Sequence, residues 1–428
     1  MKVMKFGGAI LRDKDGFEAL LRIVEMHRDE RVLLVISAFS TATRDLRRAA
    51  RAAEKGLEGE AYSILERIIR IHLNFAMALI SEGPHRHQLG QVIAKLRDEL
   101  KQYLRGIFIT REVTPRTMDL VMSYGERLAL EITGAYLNCN NFEHVSIDST
   151  DIIESDSNFG QAKPDLDRTR RNIHEKLIPA LGNCKLAITQ GFVARDTNGE
   201  ITTMGIESSS LTAMVYAILL QTMELTLWTD VSGIRSADPK LVESTNPIAT
   251  LSLDEAYIAA KSGLKLLIEP MLELMAAYRL ILVFRNAFDP GGDKTVVSSE
   301  GVSCGRQFVV VKSGLYCVSS KWPIGTAMAG SGLFSCLFSD LNTNVLISEE
   351  LRDMDFASGN YTLTEDTTLI VAVNCPKNRA AATIAALAEA ANGLELLYYS
   401  YSCAENILTI LAHTSKIHKY LEIVAADY

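Results

Sequence analysis

The chain opens with Met1-Lys-Val-Met-Lys-Phe-Gly-Gly-Ala-Ile10, an apolar strand pattern that runs into a glycine turn. Val3 and Met4 suit a buried strand, and Lys5 stands just before the pair Gly7-Gly8. Such a turn lets backbone N–H groups approach a phosphate closely, and the lysine supplies a positive charge. The same residues also suit an ordinary strand-to-helix turn with a surface lysine. The stretch by itself leaves both interpretations open.

Composition and charge are those of a globular protein with more than one domain. The length of 428 residues predicts two or three domains, and a composition of 48% hydrophobic and 22% charged residues is that of a soluble globular protein. The net charge of -8 gives no basic field for nucleic acid, and no apolar run approaches the ~20 residues that cross a membrane. Seven scattered cysteines, without a Cys-X-X-Cys pair, are typical of a reducing compartment. We therefore expect a cytoplasmic protein with neither nucleic-acid nor membrane partners.

Strand and helix patterns alternate through residues 1–295, which predicts an α/β fold with a mostly parallel sheet between helices. The charged, helix-periodic stretch 43–101 predicts several helices that form a side subdomain. Strands are predicted at Val32–Ser37, Lys185–Gly191 and Glu224–Trp228, and helices at Leu120–Leu137 and Leu211–Leu220.

Polar residues follow the ends of these predicted strands. Ligands of parallel sheets bind beyond the carboxyl ends of the strands. We therefore expect one crevice to collect Ser37, Gln190, Gly191, Thr229 and Asp230.

The composition changes at Asp289-Pro-Gly-Gly-Asp293, which indicates a domain boundary. Two units of similar rhythm follow, and they suit either paired ligand-binding modules or one α+β domain without a ligand. The first unit is predicted to contain strands at Phe308–Val311, Asn344–Ile347 and Tyr361–Leu363 and a helix near Gly332–Leu341. The second is predicted to contain strands at Thr368–Val373, Leu394–Tyr399 and Asn406–Ala412 and helices at Arg379–Ala391 and Ser415–Val424.

Several residues in the first 295 suit phosphoryl transfer, which needs positive charge around the transferred group. Lys5 and Lys261 are candidate cations, although Lys261 equally suits an exposed position. The loop Trp228–Lys240 either wraps a nucleotide or is a connector whose aspartates cap turns. Thr43 belongs to a hydroxyl-rich loop that binds a small acid or merely closes a turn. Glu126 either orients a substrate ammonium group or is a helix-dipole charge.

The order of these motifs resembles that of aspartate kinases of the amino-acid kinase superfamily, over essentially the full length. Lys5–Gly8 looks like the opening motif of that family, and Gly125-Glu-Arg-Leu128 matches its substrate-helix motif. Thr229–Pro239 is close to its nucleotide loop, and Gly199–Gly205 matches the approach to its catalytic turn. The two C-terminal units are similar to the ACT regulatory domains of the family.

The resemblance implies a kinase domain at 1–295, with a helical subdomain at about 43–110, and tandem ACT domains at 300–428. It implies ATP and Mg²⁺ as cofactors, aspartate as the phosphoryl acceptor and no metal-binding side chains. It further implies lysine or threonine as a feedback effector, and a homodimer. Lys5 would be the catalytic residue. Nucleotide contacts would come from Lys5, Gly7, Gly8, Thr229, Asp230, Lys240 and Lys261, and substrate contacts from Thr43, Glu126 and Ser209.

The chain departs from the family pattern at the catalytic turn. Where the family usually reads Gly-Arg-Gly-Gly-Ser-Asp, this chain reads Gly205-Ile-Glu-Ser-Ser-Ser210. Ile206 stands for the arginine that grips the substrate, and Ser210 for the aspartate that organises the catalytic lysine. Glu207 and Ser208 stand for two flexible glycines, and Glu207 adds negative charge beside two anionic substrates. Two hypotheses follow: a working aspartate kinase, or a catalytically impaired relative that binds nucleotide or amino acid and regulates.

Overall fold

The computed structural model describes residues 1–39, 41–205, 207–320, 333–340, 343–348, 362–389 and 396–425. Ile206 lies outside these residues. The chain divides into two compact units, one made of 1–233 and 273–299 and the other of 234–272 and 300–428. The sequence-based boundary near residue 295 stays a prediction.

Apolar and β-branched residues are frequent in the strands of both units. In chain order they are β1 (Lys2–Phe6), β2 (Val32–Ile36), β3 (Val145–Ile147), β4 (Glu154–Ser155), β5 (Leu186–Gln190), β6 (Val193–Asp196), β7 (Ile201–Thr203), β8 (Glu224–Thr229), β9 (Ile234–Arg235), β10 (Pro247–Ile248), β11 (Thr250–Leu251), β12 (Ile281–Asn286), β13 (Lys294–Val297), β14 (Phe308–Ser320), β15 (Leu333–Asp340), β16 (Thr343–Ser348), β17 (Thr362–Val373), β18 (Leu396–Ser402) and β19 (Ile407–His413).

Thirteen α-helices lie in the described part of the chain. They are α1 (Lys14–Met26), α2 (Ala42–Glu54), α3 (Glu58–Leu79), α4 (Pro84–Thr110), α5 (Pro115–Cys139), α6 (Ser149–Ile152), α7 (Leu166–Asn172), α8 (Ile178–Leu181), α9 (Ser209–Leu219), α10 (Leu253–Lys261), α11 (Glu269–Tyr278), α12 (Lys377–Glu389) and α13 (Ile417–Val424).

The central sheet of the first unit is built around β1. Its strands follow the order β13-β12-β8-β1-β2-β5-β3. β1 runs parallel to both neighbours, so Lys5 stands beside Val35 of β2 and Leu227 of β8. Among these strands only β13 is antiparallel to its neighbour, β12. The predicted mostly parallel α/β fold is confirmed, and the opening stretch occupies its middle.

Helix α5 shows how the sequence sets the boundaries of an element that carries a candidate residue. Pro115 is its first residue, a position where the missing N–H is not needed. The hydroxyl of Thr114 caps the helix by accepting a hydrogen bond from the Thr117 N–H at 3.1 Å. The helix continues for 25 residues and buries most of its middle, which includes Gly125 and Glu126. Glu126 is therefore held on a fixed, buried face.

Strands of both predicted C-terminal units join one six-stranded sheet with the order β15-β16-β14-β17-β19-β18. The helix predicted near Gly332–Leu341 is wrong, because Leu333–Asp340 is strand β15, paired antiparallel with β16. Periodicity alone does not separate a helix from a strand in so short an apolar run, and strand pairing decides. The strands predicted at Tyr361–Leu363 and Thr368–Val373 belong to the single strand β17, whose described residues begin at Thr362.

Candidate functional site

Lys5 lies at the carboxyl end of β1, with its ammonium folded over the glycine turn. The Lys5 Nζ is 3.3 Å from the point where a Cβ on Gly7 would stand. A side chain at position 7 would therefore crowd the ammonium group, and glycine leaves that space open. Burial lowers the pKa of Lys5, while the negative charges of Glu126 and Glu207 act to raise it. The lysine is a partly buried positive charge beside a partly exposed glycine turn.

Glu126 of α5 is the carboxylate that opposes Lys5. Its side chain is 3% exposed, and it accepts a hydrogen bond from the Ala38 N–H. Its Oε2 accepts no hydrogen bond from the described residues. Burial raises the pKa of Glu126 to about 8, although the Ala38 N–H and Lys5 both act to lower it. A buried acid with one unoccupied oxygen suits an incoming hydrogen-bond donor.

The segment after β2 packs closely against α5 at Gly125. A Cβ at position 125 would stand 3.4 Å from the Ala38 Cβ and 3.5 Å from the Ala42 Cβ. This contact brings the Ala38 N–H to Glu126 and places Thr43, the second residue of α2, next to the Ala42 contact. Two candidate substrate residues, Thr43 and Glu126, are thus held by elements that touch.

Hydrogen bonds between neighbouring strands continue into the residues just after the strands, at the candidate site. The Ser37 N–H donates to the Phe6 carbonyl at 3.3 Å, and the Gly191 N–H donates to the Ile36 carbonyl at 2.8 Å. The residues that follow β1, β2 and β5 therefore lie side by side. The predicted convergence of Ser37 and Gly191 agrees with this geometry.

The start of α9 packs directly against the residue that follows β5. A Cβ on Gly191 would stand 2.6 Å from the Ser209 Cβ and 2.7 Å from its Cα. Such distances are far inside van der Waals contact, so only glycine fits. Sequence inspection did not identify this function of Gly191, and the only signal was its place directly after a strand. The contact fixes the candidate substrate residue Ser209 against the strand end.

We expect Gly191→Ala to destabilise the protein by about 1–3 kcal/mol, because the helix backbone has to move to admit the methyl group. The free energy of unfolding from urea titration measures this. Gly90→Ala is the matched control, since a Cβ there meets nothing within 4 Å and Gly90 is inside α4. It should stabilise by about 0.5–1 kcal/mol, because alanine favours a helix interior. Equal effects at the two positions would contradict the steric explanation.

The catalytic turn adopts a glycine-like backbone although two of its glycine positions are filled. Glu207 has φ of 67° and Gly205 has φ of 97°, both in the left-handed region. The charge of Glu207 is close enough to Lys5 to act on the pKa of the lysine. Ser208 and Ser210 are buried at the start of α9. The negative charge expected from the sequence therefore faces Lys5.

The nucleotide candidates Thr229 and Asp230 lie where β8 ends and a local turn begins. The Thr229 hydroxyl donates to the Val231 carbonyl at 2.7 Å, and the Ala287 N–H donates to the Thr229 carbonyl at 2.9 Å. Thr229 thus shapes the loop that begins with Asp230. These bonds are local to the loop, and the nucleotide contacts of both residues stay predictions.

The remaining nucleotide candidates, Lys240 and Lys261, belong to the second unit, and both side chains are exposed. The Lys240 N–H donates a hydrogen bond to the Asp238 carboxylate at 2.9 Å, so Asp238 caps a turn that includes Lys240. Lys261 is the last residue of α10.

Neither a membrane span nor a metal cluster occurs in the described parts of the chain. No helix there is long and apolar enough to cross a membrane. No group of three or more His, Cys, Asp or Glu side chains within the described ranges is placed to hold a metal ion.

The chain resembles plant and bacterial aspartokinases in sequence and structure. Bifunctional aspartokinase/homoserine dehydrogenase 1 of Arabidopsis thaliana is 27% identical over 302 residues, which cover 69% of this chain and 32% of the relative. Aspartokinase 1 of the same plant is 27% identical over 313 residues, which cover 69% of this chain and 52% of the relative. The chain thus spans between about a third and half of these relatives.

Two solved structures of E. coli aspartokinase III share the fold. The complex with aspartate and ADP has a TM-score of 0.80 at 19% identity, and the complex with lysine and aspartate has a TM-score of 0.74 at 19% identity. Both comparisons cover 100% of this chain and 99% of the other. Residues 1–285 match the model of the amino acid kinase family, and this chain belongs to that family.

Proposed function

We propose that the protein is an aspartate kinase, which transfers the γ-phosphoryl group of MgATP to the β-carboxylate of aspartate. A carboxylate oxygen of aspartate attacks the γ-phosphorus, the bond from phosphorus to the bridging oxygen breaks, and ADP leaves with aspartyl-β-phosphate as the product. The observation that carries the proposal is the Lys5 ammonium above the Gly7 turn, opposed by the buried Glu126. The aspartokinase relatives support aspartate as the acceptor.

The residues fit an Mg²⁺-bound nucleotide triphosphate. Lys5 would stabilise the charge that spreads over the transferred phosphoryl group, and the open backbone at Gly7 and Gly8 would approach the phosphates. Thr229, Asp230, Lys240 and Lys261 would contact the rest of the nucleotide. Mg²⁺ would neutralise phosphate charge while held mainly by the nucleotide.

Aspartate would be held from three elements of the first unit. Its ammonium group would donate to the unoccupied oxygen of Glu126. Thr43 and Ser209 would supply hydroxyl groups from the starts of α2 and α9.

The C-terminal sheet would bind lysine or threonine as a feedback effector, in a homodimer. A lysine complex of the structural relative supports an amino-acid effector of this kind.

Purified protein with MgATP and L-aspartate tests the proposal in two assays. A coupled assay should show ADP release that depends on aspartate, and hydroxylamine should trap the acyl phosphate as a hydroxamate. ADP release without hydroxamate would indicate ATP hydrolysis or another acceptor. If neither product forms while MgATP still raises the melting temperature, the enzyme proposal fails and the regulatory hypothesis replaces it.

A further inference from the structure

Glu255 is a buried carboxylate that ties three separate segments of the second unit together. It lies near the start of α10 and is 4% exposed. Its Oε2 accepts a hydrogen bond from the Ser252 N–H at 2.8 Å, and the Glu255 N–H donates to the Ser252 hydroxyl oxygen at 3.3 Å, so the two residues form a capping box. Its Oε1 accepts from the Ser303 hydroxyl at 2.6 Å and from the Cys304 N–H at 3.1 Å. The Asn374 amide also donates to Oε1.

The donors to Glu255 are neutral, and no lysine or arginine among the described residues forms an ion pair with it. Burial acts to raise the pKa of Glu255, but hydrogen bonds, led by those from Ser303 and Asn374, outweigh burial and hold the pKa below its ordinary value. A buried charge of this kind depends on all of its donors, so loss of one donor is costly. The carboxylate therefore couples its three segments tightly.

Asn374 brings the C-terminal sheet into this network. It follows strand β17 directly and adopts φ of 56°, a conformation that asparagine tolerates better than most residues. Its amide also donates to the Arg306 carbonyl at 3.2 Å. The turn after a central strand of the sheet is thus bonded both to α10 and to the segment around residue 304.

The carboxyl end of α10 also packs against the C-terminal sheet. Gly263, two residues after the helix, has φ of 102°, and a Cβ there would stand 2.6 Å from the Lys312 Cδ of β14. The helix has nine residues, so contacts at both ends hold it as one rigid piece. Lys261, its last residue, moves with it.

We propose that Glu255 is a positioning residue, which holds α10 on the C-terminal sheet and thereby sets the place of Lys261 at the nucleotide. The inference rests on the proposed nucleotide contact of Lys261. Under this proposal, the C-terminal sheet affects nucleotide affinity through the turn at Asn374, which is bonded to Glu255. A residue that acts only through Lys261 has no effect once Lys261 is removed.

A double-mutant cycle on MgADP affinity, measured by titration calorimetry on the full chain, tests this inference. Lys261→Met should weaken binding about tenfold, the loss of one charge-assisted contact. Glu255→Gln should weaken it about fivefold, and the double variant should bind as Lys261→Met does. Asp254→Asn is the matched control, because Asp254 is the exposed acid next to Glu255, and it should bind as wild type.

The outcomes separate the inference from the proposed function. If the two losses multiply to about fiftyfold, or if Glu255→Gln binds as wild type, the positioning function is refuted. If Lys261→Met alone has no effect, the nucleotide contact itself is refuted. Should Glu255→Gln not fold, Asn374→Gly removes one donor while tolerating the positive φ, and it should weaken binding two- to threefold, roughly, only when Lys261 is present.

Discussion

Replacement of Lys5 by methionine is expected to lower the turnover of ATP and aspartate by about 10²–10³-fold, the usual cost of one preorganised charge-stabilising group. Methionine keeps a flexible apolar side chain of similar reach but carries no charge. The Lys5 Nζ stands over Gly7, where the transferred phosphoryl group would develop negative charge. The measurement is kcat in the coupled ADP assay, with ATP and aspartate saturating.

Lys2→Met is the control, because Lys2 is on the same strand but pairs on the surface with Glu30 at 2.9 Å. It should change kcat by less than about twofold, since an exposed ion pair contributes little. A matching loss in both variants would point to a damaged strand rather than to catalysis. Full activity in Lys5→Met would show that the phosphoryl charge is stabilised elsewhere.

The fold should survive the loss of Lys5. Burial lowers the pKa of this lysine, so the folded chain carries a desolvation cost that methionine does not have. Of the two carboxylates that act on Lys5, Glu126 is readily protonated near neutral pH and Glu207 is exposed to solvent, so no buried, unpaired charge is left behind. We expect the melting temperature of Lys5→Met to be unchanged or higher. A loss of activity without a loss of stability separates catalysis from folding.

The opening strand was accessible from sequence because its chemistry is local, whereas its place in the sheet depends on pairing with β2 and β8. An apolar run that ends in Lys5 and a glycine pair predicts a buried strand before a turn, and β1 is the middle strand of its parallel sheet. The helix predicted at Leu120–Leu137 exists but begins earlier, at Pro115, where the Thr114 cap is a local start signal that the prediction missed. Motif order then placed Glu126 on that helix. These features depend on residues within a few positions of one another.

Features that depend on distant contacts were not accessible in the same way. Gly191 looks like any turn glycine until Ser209, 18 positions later, is found against it. The strand at Leu333–Asp340 is set by its pairing with β16, and its own residues suit either structure. The network of Glu255 joins residues up to 119 positions apart. Such contacts leave no periodic signal in the sequence.

Aspartate affinity is expected to fall about tenfold for each pH unit below about 8, because the substrate ammonium binds the ionised form of Glu126. Burial raises the pKa of Glu126 to about 8 from a value of 4.5, so the free protein holds this carboxyl protonated at neutral pH. The same shift makes the folded chain bind more protons than the unfolded chain, so this group lowers stability as the pH rises from about 4.5 to 8. The positive charge of Lys5 acts to lower the pKa of Glu126, and the charge of Glu207 acts on that lysine.

Titration calorimetry at pH 7, in buffers of different ionisation enthalpy, provides the direct test. Aspartate binding should release close to one proton, because the bound ammonium favours the ionised carboxyl. Glu126→Gln should bind aspartate weakly, release no proton and lose the pH dependence. Glu131→Gln, an exposed position on the same helix, should keep both the proton release and the tenfold slope. Aspartate binding without proton release in the wild-type protein would show that Glu126 is already ionised, or that the ammonium binds elsewhere.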